Sequence, residues 1–174
     1  VSKDSSPDRS IDEPKNRRQF LTFCLNNEYF GMELHQTREI LEYSDVTDVP
    51  LMPGFMSGVI NLRGEVVPVI DLAIRLGRDP IKLHKRTCIV IIELHSYEQK
   101  HVLGLLVDSV SEVVELDTSD VEEAPAFGAN IRAEFILGIA KKEEQFVILL
   151  DAEKTLSPIE LASLVEAEFQ ATED

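Results

Sequence analysis

The stretch Ser57-Gly58-Val59-Ile60-Asn61-Leu62-Arg63-Gly64-Glu65-Val66-Val67-Pro68-Val69-Ile70-Asp71-Leu72 decides how this chain folds. Two runs rich in β-branched residues flank a polar tip, with 59–62 running out and 66–72 returning. Gly64 suits the positive φ of a tight hairpin turn, and Arg63 and Glu65 are polar where a tip meets water. The stretch predicts a hairpin that holds an arginine on a rigid turn. A solvated surface arginine fits the same pattern, so the rest of the chain must decide whether Arg63 does more.

Working outward, 20–25 and 28–34 predict two strands joined by Asn26-Asn27, which supplies turn chemistry. Residues 38–43 predict a third strand. Helix from His35 is the alternative, because Glu, Leu and Arg are good helix formers. Residues 46–53 are irregular, and 54–57 predict one helical turn. C-terminal to the hairpin, 72–76 predict a short helix stopped by Gly77. Strands follow at 87–94, 101–107 and 111–116, then an acidic loop through Glu122 and Glu123. A last hairpin spans 135–140 and 145–150. Ser157-Pro158-Ile159-Glu160 fits a capping box with proline at the first helical position, and Leu161, Leu164, Val165 and Phe169 recur at helical spacing. The expectation is a C-terminal helix and acidic tail over 157–174. Residues 1–18 lack periodicity and predict a disordered tail.

The chain repeats itself. Glu39 lies eight residues after Gly31, and Glu112 eight after Gly104. Asp71 lies 13 residues after Gly58, and Asp151 13 after Gly138. The linker Asp45-Val46-Thr47-Asp48-Val49-Pro50 matches Asp120-Val121-Glu122-Glu123-Ala124-Pro125 in form. Two copies of a five-stranded unit follow, at about 19–71 and 87–151. Five short antiparallel strands that must hide their edges favour a small closed barrel, and two barrels would leave a groove between them. The copies differ at the tip: Leu62-Arg63-Gly64-Glu65 in one, Lys142-Glu143-Glu144-Gln145 in the other. A generic hairpin does not require Arg-Gly in only one copy.

Composition narrows the function. Among 174 residues the formal net charge is −15, which opposes binding to nucleic acid and to anionic membranes. Trp is absent and aromatics make up 6%, too few for a base-stacking platform. No apolar run approaches a membrane span, so no direct membrane insertion is expected. Cys24 and Cys88 each sit in an apolar run and predict buried free thiols, with a bridge between them the alternative. His35, His84, His95 and His101 have no metal-site spacing, and no nucleotide or hydrolase motif occurs. Asp71 and Asp151 end strands and are expected to cap the following turns. No catalytic residue, metal or cofactor is predicted, and the chain reads as a binding protein. Arg75, Arg78, Lys82, Lys85 and Arg86 form a basic connector, and an acidic stretch runs from Asp108 to Glu123. Either is most simply a solvated face, and the two could also pair with each other.

Gly58 to Gly64, running into Val66 to Leu72, resembles the signature of the CheW family of bacterial chemotaxis coupling proteins. Gln19-Phe20-Leu21-Thr22-Phe23 resembles its opening strand and 29–33 its second. Val107-Asp108-Ser109-Val110-Ser111-Glu112-Val113 resembles its V-D-x-V-x-x-V segment, and Ile148-Leu149-Leu150-Asp151 its closing strand. The resemblance covers about 19–156. It implies a mainly β fold of two similar five-stranded, SH3-like β-barrel subdomains, intertwined, with a hydrophobic groove between them. Their expected extents are 19–64 plus 145–156 for the first and 65–144 for the second. It also implies a non-enzymatic adaptor that links the cytoplasmic tips of transmembrane chemoreceptors (methyl-accepting chemotaxis proteins) to the regulatory domain of the CheA histidine kinase. Such an adaptor works in the cytoplasm, at membrane-associated arrays. Arg63 matches the family's receptor-contacting arginine, and Gly58, Glu39 and Gly64 match neighbouring receptor-binding positions. No kinase-contacting residue carries over. Thr37 departs from the usual aliphatic residue. Alternatives are an adaptor of another chemosensory-type pathway, such as surface motility, and a small-barrel nucleic-acid binder.

Overall fold

The computed structural model describes residues 17–44, 46–50, 52–96, 98–123, 131–157 and 161. The chain is mainly β. Its strands are β1 (Arg17–Leu25), β2 (Glu28–Glu33), β3 (Thr37–Glu42), β4 (Met56–Leu62), β5 (Glu65–Asp71), β6 (Cys88–Ser96), β7 (Gln99–Val107), β8 (Ser109–Asp117), β9 (Val121–Glu122), β10 (Ile136–Lys142) and β11 (Gln145–Leu150). Two four-residue helices, α1 (Leu72–Arg75) and α2 (Ala152–Thr155), follow β5 and β11. The segment from Leu34 is a single 3-10 turn leading into β3, so strand prevails there over helix. Ile40 and Leu41 gain more from pairing with β6 than a lone helix could offer. β1 starts at Arg17, inside the stretch expected to be disordered, because Arg17 and Arg18 pair with Asp117 and Leu116 of β8.

The strands form two sheets. The first has the order β8-β1-β2-β11-β10-β9 and the second β3-β6-β7-β5-β4. The two orders correspond strand for strand through the internal repeat, with β8 standing for β3, β1 for β6, β2 for β7, β11 for β5 and β10 for β4. Each copy therefore places its first hairpin in one sheet and its third strand and closing hairpin in the other. Parallel pairs fasten the exchange: β11 lies beside β2 and β5 beside β7. The expected intertwining is present, but the sheets do not follow the expected segment boundaries. β3 and β4 belong with β5, and β8 to β10 belong with β1. Among the described residues, backbone pairing draws two open sheets and not two closed barrels.

One large core spans both sheets, joining Leu21, Phe23 and Phe30 of the first to Ile89, Ile91 and Leu105 of the second. A smaller cluster of Phe20, Val114, Leu116, Ala140, Val147 and Leu149 lies within the first sheet alone. β1 is thus buried on both faces, which is why 20–25 read as a continuous apolar run. Arginines of the connector reach across. Arg75 Nε donates to the Thr155 carbonyl at 2.7 Å and lies 4.9 Å from the centre of the Phe135 ring. Arg78 pairs with Glu28 and lies over Phe30. Of the expected C-terminal helix, residues 158–160 and 162–174 lie outside the described residues. Leu161 is buried in the large core, and its amide donates to the Ser157 carbonyl.

The capping reading of the two aspartates holds. Asp71 accepts from the amides of Ile74 at 3.2 Å and Ile81 at 3.0 Å, and Asp151 accepts from the amide of Lys154 at 3.1 Å. Asp71 is buried, and burial pushes its carboxyl above the ordinary 3.8 against the pull of its donors. A pKa raised on folding adds stability below 3.8, and that contribution is lost as pH climbs through the folded-state value. Asp71→Ala strands two amides, one of them at a buried contact, and is expected to cost about 2–3 kcal/mol. Asp151→Ala removes one partly exposed cap and should cost about 1 kcal/mol. Urea titrations of both variants at neutral pH will measure the difference.

Candidate functional site

The turn at Arg63-Gly64 has positive φ at both residues, 49° and 88°, and joins β4 to β5 with no further loop residue. That is the primed turn whose twist matches a β-hairpin. The Asn61 side chain accepts from the Gly64 amide at 2.9 Å and stiffens the tip. The same geometry recurs at Asn26-Asn27 and at Glu143-Glu144.

From this tip Arg63 reaches Glu39 on β3. Both guanidinium Nη atoms face the carboxylate, Nη2 on Oε2 and Nη1 at 3.5 Å from Oε1. β3 and β4 are the two edges of the second sheet, so the ion pair bridges edges that no backbone hydrogen bond joins. Arg63 is 66% exposed and Glu39 25%, which limits the pair's worth to stability to about 1 kcal/mol. Ile40 of β3 and Val66 of β5 are exposed apolar residues, with Ile40 on the opposite face of its strand from Glu39.

Two predicted site residues are thus in contact, and the glycines have separate parts. Gly64 shapes the tip, and a Cβ there would meet nothing within 4 Å. Gly58 packs on the backbone of Thr47, with which Val59 exchanges two hydrogen bonds of 2.9 Å. Thr37, at the start of β3, has a buried hydroxyl oxygen with no partner among the described residues. Replacing it with the isosteric Val should raise stability by about 1 kcal/mol, read as a higher urea midpoint.

A cleft of about 720 Å³ separates the sheets, lined by Cys24, Tyr29 and Ser109 of the first and Glu42 and Cys88 of the second, with Arg86 beside them. Its walls are largely polar, unlike the hydrophobic groove expected, and neither Arg63 nor Glu39 lines it. Both cysteines are free and half-buried, not fully buried, and desolvation raises both thiol pKa values. Among the described residues no cluster of three or more His, Cys, Asp or Glu could hold a metal, and no helix is long and apolar enough to cross a membrane.

Residues 19–160 match the model of the CheW-like domain. The chain belongs to the CheW-like family. Among curated relatives, the chemotaxis protein CheW of Klebsiella aerogenes is 34% identical over 145 residues, covering 83% of this chain and 85% of that one. CheW of Bacillus subtilis is 31% identical, covering 83% and 90%. Protein FrzA of Myxococcus xanthus is 28% identical, covering 87% and 93%. In three dimensions the chain is similar to the crystal structure of the scaffolding protein TtCheW from Thermoanaerobacter tengcongensis, with a TM-score of 0.68 and 33% identity over 77% of this chain and 84% of that one. CheW-like proteins are non-enzymatic scaffolds.

Proposed function

We propose that this chain is an adaptor that couples the cytoplasmic tips of transmembrane chemoreceptors to a CheA-type histidine kinase within signalling arrays. One observation carries the reading: a guanidinium on a rigid two-residue turn, paired with a carboxylate on the opposite edge strand of the sheet. A receptor tip is a helical hairpin. Such a helix offers carbonyls and carboxylates to a fixed guanidinium. Arg63 and Glu39 would contact the receptor, Gly64 would hold the tip, and Gly58 would set the path of β4 behind it. The adaptor would work in the cytoplasm, beside the membrane that holds the receptors.

The test is co-purification of the full chain with a receptor cytoplasmic fragment and a CheA-type kinase, with kinase activity as readout. Ternary complex and receptor-dependent kinase activity are expected. Binding to neither partner defeats the proposal. The second reading is an adaptor of another chemosensory-type pathway. A kinase from such a pathway, offered in competition, separates the two.

A further inference from the structure

We propose that two copies of this chain exchange their second halves, so that β6 to β11 of each chain completes the sheets begun by β1 to β5 of the other. Inside the first half only the hairpins β1–β2 and β4–β5 form among the described residues, and inside the second only β6–β7 and β9–β10–β11. Each remaining pair joins the halves: β1 to β8, β2 to β11, β3 to β6 and β5 to β7. Among the described residues β3 and β8 pair with no strand of their own half. The cores are shared as well, since Phe20 of the first half packs in the smaller cluster with Val114, Ala140 and Leu149 of the second. Each half is completed only by the other, and none of these contacts requires that both halves belong to one chain.

The connector between the halves is built to act as a hinge. Residues 78–87 form no helix or strand, and each residue from Lys82 to Arg86 is exposed. Three features bend the connector back onto its own first half: Gly77 at a φ of +84°, the Ile81 amide on Asp71 at 3.0 Å, and Arg78 paired with Glu28. In the folded chain it crosses from β5 to β6, which lie on either side of β7, a gap of two strand spacings or about 10 Å. Fully extended, residues 78–87 reach about 33 Å. Pro80 already biases Asp79 toward extended backbone. A straightened connector therefore carries the second half clear of its own first half and within reach of another chain's.

Each domain of the exchanged dimer repeats the strand pairs and cores of the monomer, so the balance rests on the connector and on concentration. A short linker presents its own second half at an effective concentration on the order of 1 mM, and refolding near that level brings in the half of another chain. Interconversion then requires every inter-half strand pair to open, so a dimer once formed persists after dilution. Such a dimer carries two Arg63–Glu39 tips on one particle and can bridge two partners. That consequence rests on the reading of Arg63 as a receptor contact, whereas the exchange itself does not.

The test unfolds the unaltered chain in urea and refolds it at about 1 mM or about 10 μM, then dilutes both samples to one level and sizes them by light scattering. Monomer alone is expected from the dilute refolding, and a dimer fraction that survives dilution from the concentrated one. A second experiment refolds equal parts of ¹⁵N-labelled and unlabelled chain together at the higher concentration, both with a site-specific protease sequence inserted after the exposed Lys82. Cutting the connector should release particles of monomer mass from the dimer, and native mass spectrometry should find hybrids with one half labelled. Labelled and unlabelled monomers cut first and mixed afterwards are the control. An unchanged melting point of the uncut monomer checks that the insertion leaves the fold intact. A dimer joined through its outer faces stays a dimer when cut and gives no hybrids. That result, monomer alone at both concentrations, or a dimer lost on dilution overturns the proposal.

Discussion

Arg63→Glu is expected to abolish capture of a receptor tip while the domain stays folded. The two halves of that expectation come from different magnitudes. In the free protein the Arg63–Glu39 pair is largely solvated, so its loss should move the unfolding free energy by about 1 kcal/mol or less, even allowing for repulsion between two carboxylates. In a complex the same guanidinium would be covered by the partner helix. Reversing its charge there leaves carboxylates facing helix carbonyls or acidic side chains, a change worth about 2–5 kcal/mol, or roughly thirtyfold and more in affinity. Arg63→Lys keeps the charge and loses the fork, and should bind at an intermediate level. The exchange Arg63→Glu with Glu39→Arg keeps the pair and removes the cation from the tip. It should fail to bind if the tip's charge makes the contact. Isothermal titration against a receptor cytoplasmic fragment, beside thermal melts, will resolve these cases. Wild-type affinity in Arg63→Glu would remove Arg63 from the interface, and a melting point lowered by ten degrees would make it a structural residue.

Gly58→Ala is expected to have the largest effect on stability of any single substitution considered. A Cβ at Gly58 would lie 2.2 Å from the Thr47 carbonyl oxygen and 2.8 Å from Val46 Cγ1, at a φ of +148° that side chains rarely adopt. The obstacle is backbone, so no rotamer change relieves it. The Thr47–Val59 bridge must open, and a cost of about 4 kcal/mol or more follows. Gly138, its equivalent, would place a Cβ 2.5 Å from Val121 Cγ1 and 2.8 Å from the Glu122 oxygen. Its φ is not positive, and Gly138→Ala should cost somewhat less, about 3 kcal/mol. Gly64→Ala is the control: φ is +88° but the space is open, so about 1 kcal/mol is expected. Urea unfolding of the three variants will rank them. If Gly58→Ala unfolds at the wild-type midpoint, the close approach does not exist. Any loss of receptor binding in this variant would then be direct, not a consequence of a displaced β4.

Much of this arrangement was legible in the residues. Asn26-Asn27 and Arg63-Gly64 marked their hairpins, since few residues accept two successive positive φ values. The turn at Glu143-Glu144 was placed from its flanking strands alone, because glutamate gives no such signal. The intervals from Gly58 to Asp71 and from Gly138 to Asp151 marked equivalent bulged hairpins, each ending in a capping aspartate. The exchange of strands between sheets was not legible from pattern. Periodicity tells a residue which face it takes, never which distant strand lies beside it. β3 pairs with β6 across the connector between the copies, and β1 with β8 across nearly a hundred residues. The first three residues of β1 were missed because Arg17, Arg18 and Gln19 are all exposed and show no alternation. The ion pair was half legible. Arg63 and Glu39 could each be marked, but their contact depends on two sheet edges meeting in space, which spacing along the chain does not encode.

The exchange of hairpins has a consequence for how the protein is made. A ribosome that has released residues through Gly77 has delivered β1 to β5, and these lie in two different sheets with neither complete. β3 waits for β6, and β5 waits for β7. The first sheet waits longer still, since β2 acquires its parallel neighbour only when β11 emerges near the end of the domain. The nascent chain must carry unpaired strand edges until nearly all of it is synthesised, the condition under which aggregation competes with folding and folding itself is slow. Gene fragments encoding the two copies separately should therefore yield insoluble products when each is expressed alone, and a soluble heterodimer when they are expressed together.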